Sequence, residues 1–121
     1  MRVRKFLITD DDIKLSVKGI NDALIEVGDA YYPEFHAICD SIPRSKQVHI
    51  DETSFQVKVK KFWLWAFRSA ENDVLIIMVD SRGRDVVKEA MYEDFHCPAI
   101  VDGWKVYSYF PIILRCCAHL I

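Results

Sequence analysis

Two short runs, residues 62–67 (FWLWAF) and 74–79 (VLIIMV), are apolar at every position. A strand sends alternate side chains to opposite faces, so a run with no polar alternation fits strands covered on both sides. Three further β-rich stretches, residues 48–57, 99–101 and 112–120, are bounded by polar breaks. Between the third and fourth of these five runs, residues 84–94 read as a helix with Val86, Val87, Ala90 and Met91 inward and Ser81 as its cap; residues 103–109 read as a shorter one. The predicted order is three strands, a helix, a strand, a short helix and a final strand, which is an α/β chain.

Ahead of the strands the period is helical. Ile20, Leu24, Val27, Tyr31, Phe35 and Ile38 recur at spacings of three and four, the stripe of an amphipathic helix, with Thr9 and Ser16 as candidate N-caps. Gly28 and Pro33 interrupt the stripe, so two helical pieces are expected, the second starting near Asp29. Residues 40–46 then read as a loop. The chain divides on this reading into a helical segment, 1–46, and a sheet-bearing segment, 47–121.

At 121 residues, with 51% hydrophobic and 12% aromatic content, there is apolar material for a core, which excludes a disordered chain. No stretch approaches the roughly 18–20 apolar residues of a membrane span, and Met1-Arg2-Val3-Arg4-Lys5 leads to Asp10-Asp11-Asp12, unlike a signal peptide. A cytoplasmic location is expected. Cys39, Cys97, Cys116 and Cys117 form no CxxC pair and read as reduced thiols. A net charge of −2 argues against a dedicated nucleic-acid clamp. The charge is nonetheless segregated: residues 6–45 carry 3 basic and 8 acidic side chains, residues 46–70 carry 5 basic and 2 acidic. The basic group of Lys58, Lys60, Lys61 and Arg68 reads either as a lysine-protected hairpin edge or as a surface for a DNA backbone.

Carboxylates inside apolar strands need a reason. His49-Ile50-Asp51-Glu52-Thr53 places two in one strand, and Val101-Asp102-Gly103-Trp104 puts another at the end of a later one. Asp102 could cap the segment that follows while Asp51 stays half exposed. Alternatively the two acids meet on adjacent strands and hold a divalent cation, since Mg²⁺ takes a few carboxylates together with water and phosphate oxygens. Glu52 points away from Asp51 by strand alternation and is read as a supporting or surface residue; Trp63 and Trp65, on one strand face, are read as core.

Asp51-Glu52-Thr53, the Phe62-Trp63-Leu64-Trp65 run, Ser81-Arg82-Gly83-Arg84, Asp102-Gly103-Trp104 with Tyr107, and Arg115-Cys116-Cys117-Ala118-His119-Leu120 occur in that order. The series resembles the central domain of insertion-sequence transposases of the IS66 group. The resemblance implies an RNase H-like mixed sheet with flanking helices, preceded by the helical segment, and a DDE-type activity: metal-dependent phosphodiester cleavage and strand transfer in DNA transposition. It assigns catalytic and metal-holding roles to Asp51 and Asp102 and implies Mg²⁺ or Mn²⁺ as cofactor and DNA as partner. Beside it, the residues themselves offer candidate DNA contacts: Lys58, Lys60 and Lys61 of the basic group, Arg82 and Arg84 at a helix start, which a solvated turn explains equally well, and His119, which also reads as a hydrogen-bonded histidine near a strand end.

Two departures accompany the match. Lys58-Val59 stands where the family carries an Asn-Gly-like turn, and a β-branched residue suits a type I′ turn poorly, so a different loop or register is expected. The family's third acid, a Glu on a helix beyond the last strand, has no counterpart before Ile121. The fold is therefore expected to be incomplete at its C-terminus, the metal weakly held, and the chain inactive by itself. The other functional class in view is a non-catalytic module that pairs with full-length transposase and inhibits it. Apolar strand faces left without a covering helix point to a homo-oligomer, a dimer first.

Overall fold

Helical period gives way to strand at Val48, as the pattern predicts, in a computed structural model that describes residues 16–92, 95–108 and 110–116. The chain forms two compact units, Met1–Glu34 and Phe35–Ile121.

The first unit contains most of helix α1, Val17–Ser41. Ser16 starts it: its Oγ accepts the Gly19 N–H at 2.9 Å and satisfies one of the donors that a helix N-terminus leaves unpaired. Thr9 lies outside the described residues. The expected break does not occur, because α1 runs unbroken through Gly28 and Pro33. A proline in mid-helix forfeits one hydrogen bond and crowds the preceding turn, yet the helical bonds on either side hold the two halves as one element. Leu24, Val27 and Tyr31, members of the predicted stripe, are exposed.

In the second unit, strands β1 (Val48–Val57), β2 (Lys60–Ser69) and β3 (Val74–Val79) form an antiparallel meander. Strands β4 (Ala99–Val101) and β5 (Ile113–Arg115) add in parallel beside β1, giving the order β3-β2-β1-β4-β5. That order, with helix α2 (Arg84–Met91) between β3 and β4, is the RNase H-like mixed sheet that the resemblance implies. The α2 helix is shorter than residues 84–94, and its N-cap is Gly83 rather than Ser81. Ser81 acts from two residues earlier: its Oγ accepts the Gly83 N–H at 2.9 Å and donates to Asp85 at 3.2 Å. The expected helix at 103–109 is a single 3₁₀ turn, Lys105–Tyr107. The last strand is described only as Ile113–Arg115, and the end of the predicted run, with Cys117 and His119, lies outside the described residues.

One face of the sheet carries the core. Val48 and Ile50 of β1 meet Trp65 and Phe67 of β2, Leu75 of β3 and Val101 of β4, and the layer is closed by Val86, Val87 and Met91 of α2 together with Ile42, Phe95, Tyr107 and Phe110. Each large side chain buried here contributes roughly 1.5–3 kcal/mol. The opposite face departs from the two-sided expectation. Val74, Ile76 and Met78 are 47%, 55% and 57% exposed, so among the described residues β3 is covered on one side only.

The β1–β2 hairpin keeps a two-residue connection, Val57 pairing directly with Lys60. The change is in turn type. Lys58 sits at φ 55° and Val59 is not left-handed, the pattern of a type II′ turn, which places the strain on the residue that tolerates it better than a β-branched one. A side chain at left-handed φ costs about 1–2 kcal/mol, of which glycine returns part as chain entropy. Lys58→Gly is therefore expected to stabilise the chain by about 0.5–1 kcal/mol, a rise of a few degrees in thermal denaturation. An unchanged or lower Tm would contradict the left-handed turn.

Candidate functional site

The parallel register of β1 and β4 pairs Val48 with Ala99 and His49 with Ile100. Carried two residues further, the same step sets Asp51 level with Asp102, the residue immediately after β4. Both carboxylates line one cleft of about 260 Å³, together with His49, Arg68, Ile100 and Cys116. Asp51 is exposed and Asp102 half-buried. Asp51 Oδ1 accepts the Glu52 N–H at 3.0 Å, and Asp102 Oδ1 accepts the Trp104 N–H at 2.8 Å. The latter bond spans the turn at Gly103, as short acidic side chains do two residues ahead of a backbone donor. Asp102 thus organises the segment after it and faces the cleft as well. Two hard oxygen donors suit Mg²⁺ or Mn²⁺, with much of the coordination shell left to water. Among the described residues no third His, Cys, Asp or Glu joins them in a metal-binding cluster.

Glu52 follows strand alternation onto the other face, level with Val48 and Ile50, and there its side chain is only 1% exposed. A buried carboxylate must be paired. Arg82 donates to Glu52 Oε1 from Nε at 3.1 Å and from Nη2 at 2.7 Å, and the Tyr107 hydroxyl donates to Oε2. Burial, followed by the Glu52 carboxylate, pushes the Tyr107 phenol far above its usual range, so it remains protonated and a donor. The Arg82 guanidinium in turn lies over two indoles, 3.8 Å from the Trp104 ring centre and 4.5 Å from that of Trp63. Trp65 is fully buried and donates from Nε1 to the Ser81 carbonyl at 3.2 Å, while Trp63 is half-buried. The predicted core role of the two tryptophans is met, with Trp63 also serving as a platform for the cation.

The candidate DNA contacts do not share one surface. Lys58 is in the hairpin turn, Lys60 pairs with Asp80 at 2.9 Å, and Lys61 lies over Trp63 at 4.6 Å. Lys61 and Trp63 belong to the Glu52 face of β2, opposite the cleft. The hydrogen-bonding edge of Arg82 is taken by Glu52, and Arg84 begins α2. His119 lies outside the described residues. Sequence reasoning set Arg68 in the basic patch but not in the site, yet the register places it opposite His49, and it lines the cleft. The signal was there: a two-residue turn at 58–59 fixes that pairing by counting back along the hairpin.

The family model described as "Transposase IS66 family" matches residues 1–121. No curated protein and no solved structure matches the chain. Asp51 and Asp102 of the ordered motifs line the cleft, Glu52, Arg82, Trp104 and Tyr107 form the buried network behind it, and with the match extending over its whole length, the chain belongs to the IS66 transposase family.

Proposed function

We propose that Asp51 and Asp102 are two acids of a DDE-type transposase site and hold a divalent cation, Mg²⁺ or Mn²⁺, for phosphodiester cleavage and strand transfer on DNA in the cytoplasm. What supports this is their position in one cleft, at the same level of two neighbouring parallel strands. A cation bound there would supply activation of the attacking oxygen and stabilisation of the leaving one. Asp51 and Asp102 give the cleft its negative charge, and Arg68 offers a cationic edge to a phosphate entering beside them. Lys58 and Lys60, at the hairpin end, are the proposed backbone contacts farther out. In this reading residues 47–121 are part of the catalytic domain and 1–46 the helical segment that precedes it.

In this reading two carboxylates leave most of the coordination shell to water, so the cation is held weakly, and strand transfer by the 121-residue chain alone is not expected. Titration with Mn²⁺, followed by electron paramagnetic resonance, is expected to show one weak site whose affinity falls about tenfold or more in Asp102→Asn. Equal affinity in the variant would remove the assignment.

A second reading, an interaction module that pairs with itself or with an intact relative, is favoured by the open sheet face. Val74, Ile76 and Met78 of β3 are 47–57% exposed there. Covering such a patch with a second copy recovers part of the 1.5–3 kcal/mol that each large apolar side chain forgoes in water. Sedimentation velocity at micromolar concentration is expected to give a dimer, and a monodisperse species of 14.1 kDa would rule it out.

A further inference from the structure

We infer that Glu52 is a positioning residue: its buried carboxylate clamps the 102–107 turn to β1 and thereby sets Asp51 and Asp102 at the spacing a divalent cation requires. The inference rests on the assignment of Asp51 and Asp102 as metal-holding residues and adds a role for the residues behind them. Glu52 follows Asp51 directly on β1, so whatever fixes its side chain fixes the strand that presents Asp51 to the other face. Its two oxygens take donors from separate parts of the chain, Arg82 on Oε1 and Tyr107 on Oε2. Tyr107 is 1% exposed and lies in the 3₁₀ turn that begins just after Trp104. Arg82 reaches the same turn by another route, since its guanidinium is stacked 3.8 Å from the Trp104 ring centre. Trp104 closes the circuit, because its backbone N–H holds Asp102 Oδ1 at 2.8 Å.

The path from one carboxylate to the other is therefore Asp51 to Glu52 by the backbone, Glu52 to Tyr107 and Arg82 by charged hydrogen bonds, and Trp104 to Asp102 by a main-chain donor. Every link is short, and the central charge is screened from water. β4 contributes only a three-residue strand to hold Asp102, so the clamp supplies the second attachment that a short strand lacks. Partners behind metal ligands act in this way generally, and their loss typically lowers metal affinity 10–100-fold.

The test uses the 121-residue chain with two clamp variants, Glu52→Gln and Tyr107→Phe, and two references, Asp102→Asn and Val87→Ala. Val87→Ala opens the core at α2 and lowers Tm without touching the clamp. Mn²⁺ affinity is read well below each Tm, and exchange of the Trp104 amide is read by NMR without metal. Either clamp variant is expected to weaken Mn²⁺ binding about tenfold and to speed Trp104 exchange, whereas Val87→Ala leaves both at the parent values. If Asp102→Asn weakens binding while the folded clamp variants bind as tightly as the parent, the positioning role is wrong and the metal assignment stands. If Asp102→Asn binds like the parent, the metal assignment fails and the inference with it. Should Glu52→Gln not fold, Tyr107→Phe, which keeps the ring and removes one bond, decides the matter. Equal losses in the clamp variants and in Val87→Ala would reduce the effect to stability and overturn the proposal.

Discussion

β1 is the strand on which everything else is registered. It pairs antiparallel with β2 over its whole length and parallel with β4 at its start, so one backbone sets the level of residues from distant parts of the sequence. Because its side chains alternate, the neighbours Asp51 and Glu52 are committed to opposite faces with opposite surroundings. A slip of one residue would expose Val48 and Ile50 and bury Asp51, which the core energetics do not allow. The placement of the Asp51 side chain in the cleft is thus a consequence of apolar packing on the other side.

The two faces divide the work. On the Glu52 face, aromatic rings, α2 and the 3₁₀ turn close around a single charged pair, and the burial that would penalise a lone carboxylate makes this one rigid once Arg82 and Tyr107 satisfy it. On the Asp51 face the described residues leave the sheet open, with a cleft toward its β4 side and exposed aliphatic side chains on β3. A carboxylate meant to meet a cation and a phosphate has to keep access to water and ligand, and the exposed position of Asp51 is consistent with that.

Much of this was legible in the sequence because it depends on local pattern. The strand runs, the α2 helix and the opposite facing of Asp51 and Glu52 follow from period and alternation alone. The continuous α1 was not legible: Pro33 argues for a break, and only the sum of helical bonds on both sides outweighs it. The turn at Lys58-Val59 was read correctly as unsuited to type I′, but not as a turn of the same length with one left-handed residue. Glu52 shows where pattern reading stops. Alternation gave its face but left it a supporting or surface residue; its burial depends on partners 30 and 55 residues away, and no local signal connects them. Arg82, a candidate DNA contact from the sequence, is held by that long-range pairing.

Localising the cation addresses the central assignment directly. With the ¹⁵N-labelled chain and substoichiometric Mn²⁺, paramagnetic broadening should appear first at the amides of Asp51, Glu52, Asp102 and Gly103 and fade with distance from the cleft. Broadening centred instead on the acidic side chains near α2, such as Asp80, Asp85 and Glu89, or spread evenly over the surface carboxylates, would contradict a metal site between β1 and β4.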